Sequence, residues 1–237
     1  MDIIVTGASR GIGYEIVKKF AGIPGNRIIA LARNKNNLAK LKSDCKPMPS
    51  GKGVEIIPTD LSDIGNMTTL LVPHIQRSLT KLDILVNNAG YLVNKPFEKT
   101  QLQELENIIN INLKVPFLFI QALINLLKNA NRSHVLNISS MGGIHGSAKF
   151  PGLAAYSAAK GGLGILTECL AEEYRDSGIS FNCLALGAVQ TEMFEEAFPG
   201  YNAPLTPEEM AGFIADFAIN GAKIFNGKIL PVSISTP

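Results

Sequence analysis

The chain reads as an α/β fold: a doubly wound, mostly parallel β-sheet flanked by helices on both faces, in a single domain over residues 1–237. Two observations predict it. Short apolar runs alternate with longer helical patterns from one end to the other, which is the signature of repeated β-α-β units. Runs such as Ile3-Ile4-Val5 are also continuously apolar, as strands covered on both faces must be. A length of 237 residues suits one such domain.

The elements follow in order. A first strand over 2–6 leads through Thr6-Gly7 and the glycines Gly11 and Gly13 into a helix over 11–21. A strand over 27–32 and a helix over 35–43 come next. The stretch 44–53, with Pro47, Pro49, Gly51 and Gly53, is a loop. Strands over 54–57, 82–86, 134–139 and 179–185 then alternate with helices over 62–80, 100–127 and 156–176. Thr206-Pro207-Glu208-Glu209 combines a cap, an N1 proline and a capping-box glutamate, so it starts a helix over 207–219. A strand over 228–232 ends the pattern. The segment 187–205 breaks it with Gly187, Pro199, Gly200 and Pro204. Its Met193, Phe194, Phe198 and Tyr201 suggest a partly helical flap over a ligand, or else a loop stapled to the core.

Composition excludes several classes. A net charge of +2 with no Lys/Arg-rich run leaves no footprint for nucleic acid. No uncharged apolar stretch nears 18 residues, so no membrane span is expected. The chain enters its first strand without a basic leader. Cys45, Cys169 and Cys183 form neither a disulfide framework nor a metal pattern, which points to a reducing cytoplasm and no metal.

Two sites carry chemistry. The first is the glycine turn, spaced G-x-x-x-G-x-G. Glycine permits close backbone approach, and the following helix offers free N–H groups and a positive end to a pyrophosphate. The spacing is neither the G-x-G-x-x-G fingerprint nor a P-loop, and a tight structural turn is its plain alternative. The second lies at the carboxyl ends of the strands, where open α/β sheets bind ligands. There stand Asn87-Asn88-Ala89-Gly90, Ser139-Ser140, and a helix opening Tyr156-Ser157-Ala158-Ala159-Lys160. Tyr156 and Lys160, at i and i+4, share a helix face. An ammonium beside a phenol is expected to depress the phenol's pKa from about 10. Such a tyrosine exchanges a proton with a carbonyl or alcohol oxygen, and a nearby serine holds that oxygen.

These motifs, in this order over nearly the whole length, resemble the classical short-chain dehydrogenase/reductase family, whose fold is Rossmann-like. The resemblance assigns catalysis to Asn112, Ser140, Tyr156 and Lys160. Tyr156 becomes the general acid in reduction, Ser140 polarises the carbonyl, Lys160 holds the nicotinamide ribose, and Asn112 keeps a relay water. It assigns the dinucleotide to Thr6, Gly7, Ser9, Arg10, Gly11, Ile12 and Gly13 in the loop. Asp60 and Leu61 lie at the adenine, and Asn88, Ala89 and Gly90 at the fourth strand's end. Tyr156 and Lys160, with Gly187, Val189 and Thr191, complete the site. A bland role for Asp60 is capping the next helix, which Ser62 can also do.

Three departures from the family stand out. Leu186-Gly187 replaces its Pro-Gly. Ser140 and Tyr156 are 16 positions apart, about three more than is common, the excess falling in 141–155. Its C-terminal Asp-Gly-Gly is replaced by Pro231-Val232-Ser233. The second strand ends Leu31-Ala32-Arg33, without the acid that grips the ribose 2′-OH in NAD sites. Arg33 and Arg10 suit a 2′-phosphate instead, so NADP(H) is expected over NAD(H). The implied activity is hydride transfer between NADP(H) and a small-molecule carbonyl or secondary alcohol. A ketoacyl-thioester reductase and a non-catalytic dinucleotide-binding sensor or scaffold are the rivals. His145, Phe150, Met193, Phe194 and Phe198 are candidates for an apolar substrate pocket, or for loop packing. Apolar faces on the helices after Asn112 and Tyr156 suggest a homodimer or homotetramer.

Overall fold

The computed structural model describes residues 1–234. Seven strands form one sheet: β1 (Asp2–Thr6), β2 (Arg27–Ala32), β3 (Val54–Pro58), β4 (Ile84–Asn87), β5 (Ser133–Ser140), β6 (Ile179–Leu186) and β7 (Lys228–Val232). Every pairing is parallel, in the order β3-β2-β1-β4-β5-β6-β7. The predicted doubly wound sheet is therefore present, and all seven strands fall within a few residues of their expected places. The winding reverses between β1 and β4, so their carboxyl ends diverge and open a crevice there.

Alternation along the strands sends side chains to two cores. Ile3, Val5, Ile28 and Ala30 face one core, closed by Ile16, Val17 and Phe20 of α1 (Gly11–Ala21). Met210, Ile214 and Phe217 of α9 (Pro207–Asn220) complete it. Ile4, Ile29 and Leu31 face the other, closed by Ile75 of α4 (Val72–Ser78) and by Phe119 and Leu123 of α6 (Val115–Lys128). Between these come α2 (Lys35–Cys45), capped by Asn34, and the short α3 (Ile64–Asn66), whose cap is Asp63. Asp60 and Ser62 do not cap it; Asp60 Oδ1 instead accepts from the Ser62 amide at 2.9 Å. Further on lie α5 (Leu102–Ile109), α7 (Ala154–Glu173) and α8 (Glu192–Ala197). The capping box of α9 forms as expected: Thr206 Oγ1 accepts from the Glu209 amide, and Glu209 Oε2 from the Thr206 amide.

Two helices carry a π turn that the periodicity did not show, at Met67–Leu71 and Asn110–Lys114. Each is followed by Val-Pro, at Val72-Pro73 and Val115-Pro116. Proline brings no N–H and crowds the carbonyl four residues back. Widening the turn, so that Val115 N–H reaches Asn110 O, carries the helix past that obstacle. The run Leu102–Lys128, interrupted by Glu104, Glu106 and Lys114, is long and apolar enough by length and composition to cross a membrane, as the core helix of a globular domain also is. Here Phe119, Ile120, Leu123 and Leu127 lie buried on the sheet.

One buried group makes stability depend on pH. His134 is 2% exposed; its Nδ1 donates to Ala218 O at 2.9 Å, and its Nε2 accepts from Asn182 Nδ2 at 3.0 Å. Both bonds suit the neutral ring, and burial lowers its pKa to about 4. An unfolded histidine titrates near 6.5. The folded value is depressed, so this contribution to stability is complete above about pH 6.5 and is lost as the pH falls towards 4. The urea midpoint is expected to fall across that window, and more gently in His134→Gln. An equal slope in both proteins assigns the effect elsewhere.

Candidate active site

The crevice is a cleft of about 1290 Å³ over the carboxyl ends of the strands. At its base the glycine loop is locked in place. Thr6, 2% exposed, uses its Oγ1 to accept from the amides of Asn88 and Ala89, both at 3.0 Å. Asn88 Nδ2 in turn donates to the carbonyls of Thr6 (3.0 Å) and Gly7 (3.3 Å). Gly7 has φ +70°, and a Cβ there would lie 2.8 Å from Ala89 Cα. A Cβ on Gly13 would overlap the Gly7 carbonyl oxygen and the Asn88 amide. The Asn-Asn-Ala-Gly segment is thus the clamp of the loop. Helix α1 starts just above it; no side chain caps its N-terminus and its first turn holds no acid, which suits an anion.

The expected cofactor residues Gly7, Ser9, Arg10, Gly11 and Ile12 line the cleft, as do Arg33, Asp60 and Leu61. So do Asn88, Ala89, Gly90, Gly187, Val189 and Thr191. Thr6 and Gly13 stand behind the lining as supports. Arg33 is exposed and makes no ion pair among the described residues, whereas Arg10 pairs with Glu196 of α8 at 3.3 Å. The Gly187 amide donates to Val232 O of β7 at 2.9 Å, so this turn is held from the C-terminal strand without the proline, and a Cβ at Gly187 would run into Ser233 Oγ.

The opposite end holds Ser140, Tyr156 and Lys160. Ser140 ends β5, and Tyr156 and Lys160 are one turn apart on α7. Ser140 lies beside the Tyr156 hydroxyl and acts to lower its pKa, while its Oγ accepts from the Gly142 amide at 3.3 Å. Lys160 Nζ lies 5.7 Å from the centre of the Tyr156 ring and donates to Ile138 O at 2.7 Å. The expected depression of the tyrosine does not appear. Desolvation raises Tyr156 to about 12, offset only in part by Ser140. The same burial lowers Lys160 to about 8. The tyrosine therefore keeps its proton, and the lysine sits near its own titration point at neutral pH.

Asn112 occupies the π turn and is fully buried, behind the lining. Its Nδ2 donates to Tyr91 O (2.7 Å) and Ile108 O (2.8 Å). Its Oδ1 and the Lys160 ammonium both come within 3.8 Å of the place a Gly90 Cβ would occupy. Sequence reasoning missed the polar chain behind this centre. Asn87 Nδ2 donates to Asn137 Oδ1 (2.8 Å), and Asn137 Nδ2 donates to Thr167 Oγ1 (2.9 Å), tying β4 and β5 to α7. Asparagines inside otherwise apolar strands were the available signal. Of the candidate pocket residues, Phe150, Met193, Phe194 and Phe198 line the cleft; His145 is exposed and outside it.

A family profile described as short chain dehydrogenase matches residues 2–202. The chain belongs to the short-chain dehydrogenase family. Among other members, it is 31% identical to the 3alpha-hydroxysteroid dehydrogenase of Mediterraneibacter gnavus, over 97% of this chain and 94% of that one. It is 28% identical to the 3-oxoacyl-[acyl-carrier-protein] reductase FabG of Chlamydia trachomatis, over 97% and 94%. Among solved structures of this fold, the Pseudomonas aeruginosa RhlG/NADP complex superposes with a TM-score of 0.85 at 27% identity, covering 98% of this chain and 94% of that one. Membership makes the protein an oxidoreductase of a dinucleotide-dependent family.

Proposed function

We propose that the protein interconverts a carbonyl and a secondary alcohol using NADP(H), with Tyr156 as the general acid in reduction and the general base in oxidation. The observation that carries this reading is the convergence of Ser140, Tyr156 and Lys160 on the cleft whose other end is the clamped glycine loop. The residues present fit a dinucleotide: a cradle without Cβ atoms, an uncapped helix N-terminus, and polar groups at both ends. A bound nicotinamide dinucleotide supplies the hydride. Burial keeps the Tyr156 hydroxyl protonated, ready for a carbonyl oxygen that Ser140 also holds. Lys160, close to its titration point, holds the ribose hydroxyls and returns a proton to Tyr156. Asn112 orders a water beside Lys160. Arg33, unpaired at the end of β2, receives the 2′-phosphate, and the NADP complex of the Pseudomonas relative supports that choice.

The test is an NADPH titration by fluorescence followed by turnover across ketones, diketones and acetoacetyl thioesters. Tight binding with turnover of simple ketones is expected. Preference for the thioesters moves the assignment to a ketoacyl-thioester reductase, and binding without any turnover moves it to a sensor or scaffold. The same reading includes a homodimer or homotetramer in a reducing cytoplasm, in accord with free thiols at Cys45, Cys169 and Cys183. Phe117 on α6 and Ile165 on α7 are 46% and 59% exposed, an apolar surface that a second copy would cover. Sedimentation at micromolar protein is expected to give at least twice 25.4 kDa; a monomer alone rules out the assembly.

A further inference from the structure

The cleft separates charge from apolar surface along its length. Arg10, Arg33 and Asp60 line the end away from Tyr156, and Glu192 approaches the glycine loop, its Oε2 3.8 Å from the place a Gly11 Cβ would take. Among the described residues, the rest of the lining carries no charged side chain apart from Lys160. Its wall is an aromatic corner built from two distant segments, the longer loop after Ser140 and the flap. Phe150 meets Phe198 edge-on with ring centres 5.8 Å apart, and Phe198 meets Phe194 at 5.3 Å. A third segment ties both together: Asn94 Nδ2 donates to Ala197 O at 2.8 Å, and the Lys95 amide to Gly152 O at 3.1 Å.

The lysines near this mouth are engaged elsewhere. Lys95 is paired with Glu104 at 2.9 Å, and Lys149 is folded back on Ile144 O at 2.6 Å and Ser147 O at 3.0 Å. Lys160 does line the cleft, but it is buried on Ile138 O and, in the reading above, turned to the ribose hydroxyls. An anionic substrate would thus lose its hydration without gaining a cation, a cost that an apolar substrate avoids. A flat ring, in contrast, finds aromatic faces and edges to pack against.

We infer that the substrate is an uncharged ketone or secondary alcohol carrying an aryl or alicyclic ring beside the reacting carbon, and that keto acids, sugar acids and phosphorylated carbonyls are rejected. This rests on the carbonyl-reductase reading of the site. Its test therefore uses binding as well as turnover. The probes are the methyl ester of para-acetylbenzoic acid and para-acetylbenzoate, which differ mainly in charge. Calorimetric titration at pH 7 in the presence of NADP+, which cannot reduce the ketone, is expected to show the ester binding at least tenfold more tightly, with kcat/KM measured with NADPH following the same order. Phe198→Ala is expected to weaken the ester about tenfold. Met193→Lys, at a partly exposed position, is expected to bring the carboxylate to within a fewfold of the ester and serves if the first variant fails to fold. Equal or tighter binding of the carboxylate by the parent protein overturns the inference. Selective binding of the ester with no turnover of any ketone upholds the pocket's preference and removes the reductase assignment instead.

Discussion

Tyr156→Phe is expected to lower kcat for ketone reduction by at least about a hundredfold, or about 2.7 kcal/mol of barrier. The substitution removes one oxygen and leaves the ring beside Lys160. The lost oxygen is the proposed proton donor beside Ser140, so the carbonyl oxygen would face Ser140 without it. NADPH affinity should change little, because the glycine clamp and Arg33 lie at the other end of the cleft. A variant that keeps more than a tenth of the parent kcat removes Tyr156 from the acid role.

Arg33→Asp is expected to raise the KM for NADPH at least tenfold, about 1.4 kcal/mol, and to leave NADH less affected or improved. The carboxylate would repel a 2′-phosphate and accept a hydrogen bond from a free 2′-OH. Arg10→Ala should act in the same direction but more weakly, since Arg10 already shares its charge with Glu196. Steady-state kinetics with both nucleotides decide the matter. An NADPH/NADH ratio that moves less than twofold in Arg33→Asp removes the arginine from cofactor choice, while the fold and the glycine loop stand apart from that result.

The fold was largely legible because its information is local. Strands buried on both faces must be apolar throughout, so Ile3-Ile4-Val5 and Ile28-Ile29-Ala30-Leu31 announce themselves. Tyr156 and Lys160 were legible because helical spacing alone puts them on one face. What stayed hidden depends on neighbours distant in the chain. The direction of the Tyr156 shift follows from how much protein surrounds its hydroxyl, and no spacing reports that. The Arg10–Glu196 pair joins residues 186 positions apart. The π turns were half legible: both Val-Pro pairs were visible, but a proline inside a helical pattern equally signals a kink or a break.

The clamp on the glycine loop bears on the thermodynamics of nucleotide capture. Thr6 and Asn88 hold this backbone through four hydrogen bonds to the Asn-Asn-Ala-Gly segment and to the loop's own carbonyls. The seat is rigid before any ligand arrives, so association need not purchase order there, and little conformational entropy is lost on docking. Affinity can then be spent on telling one dinucleotide from another.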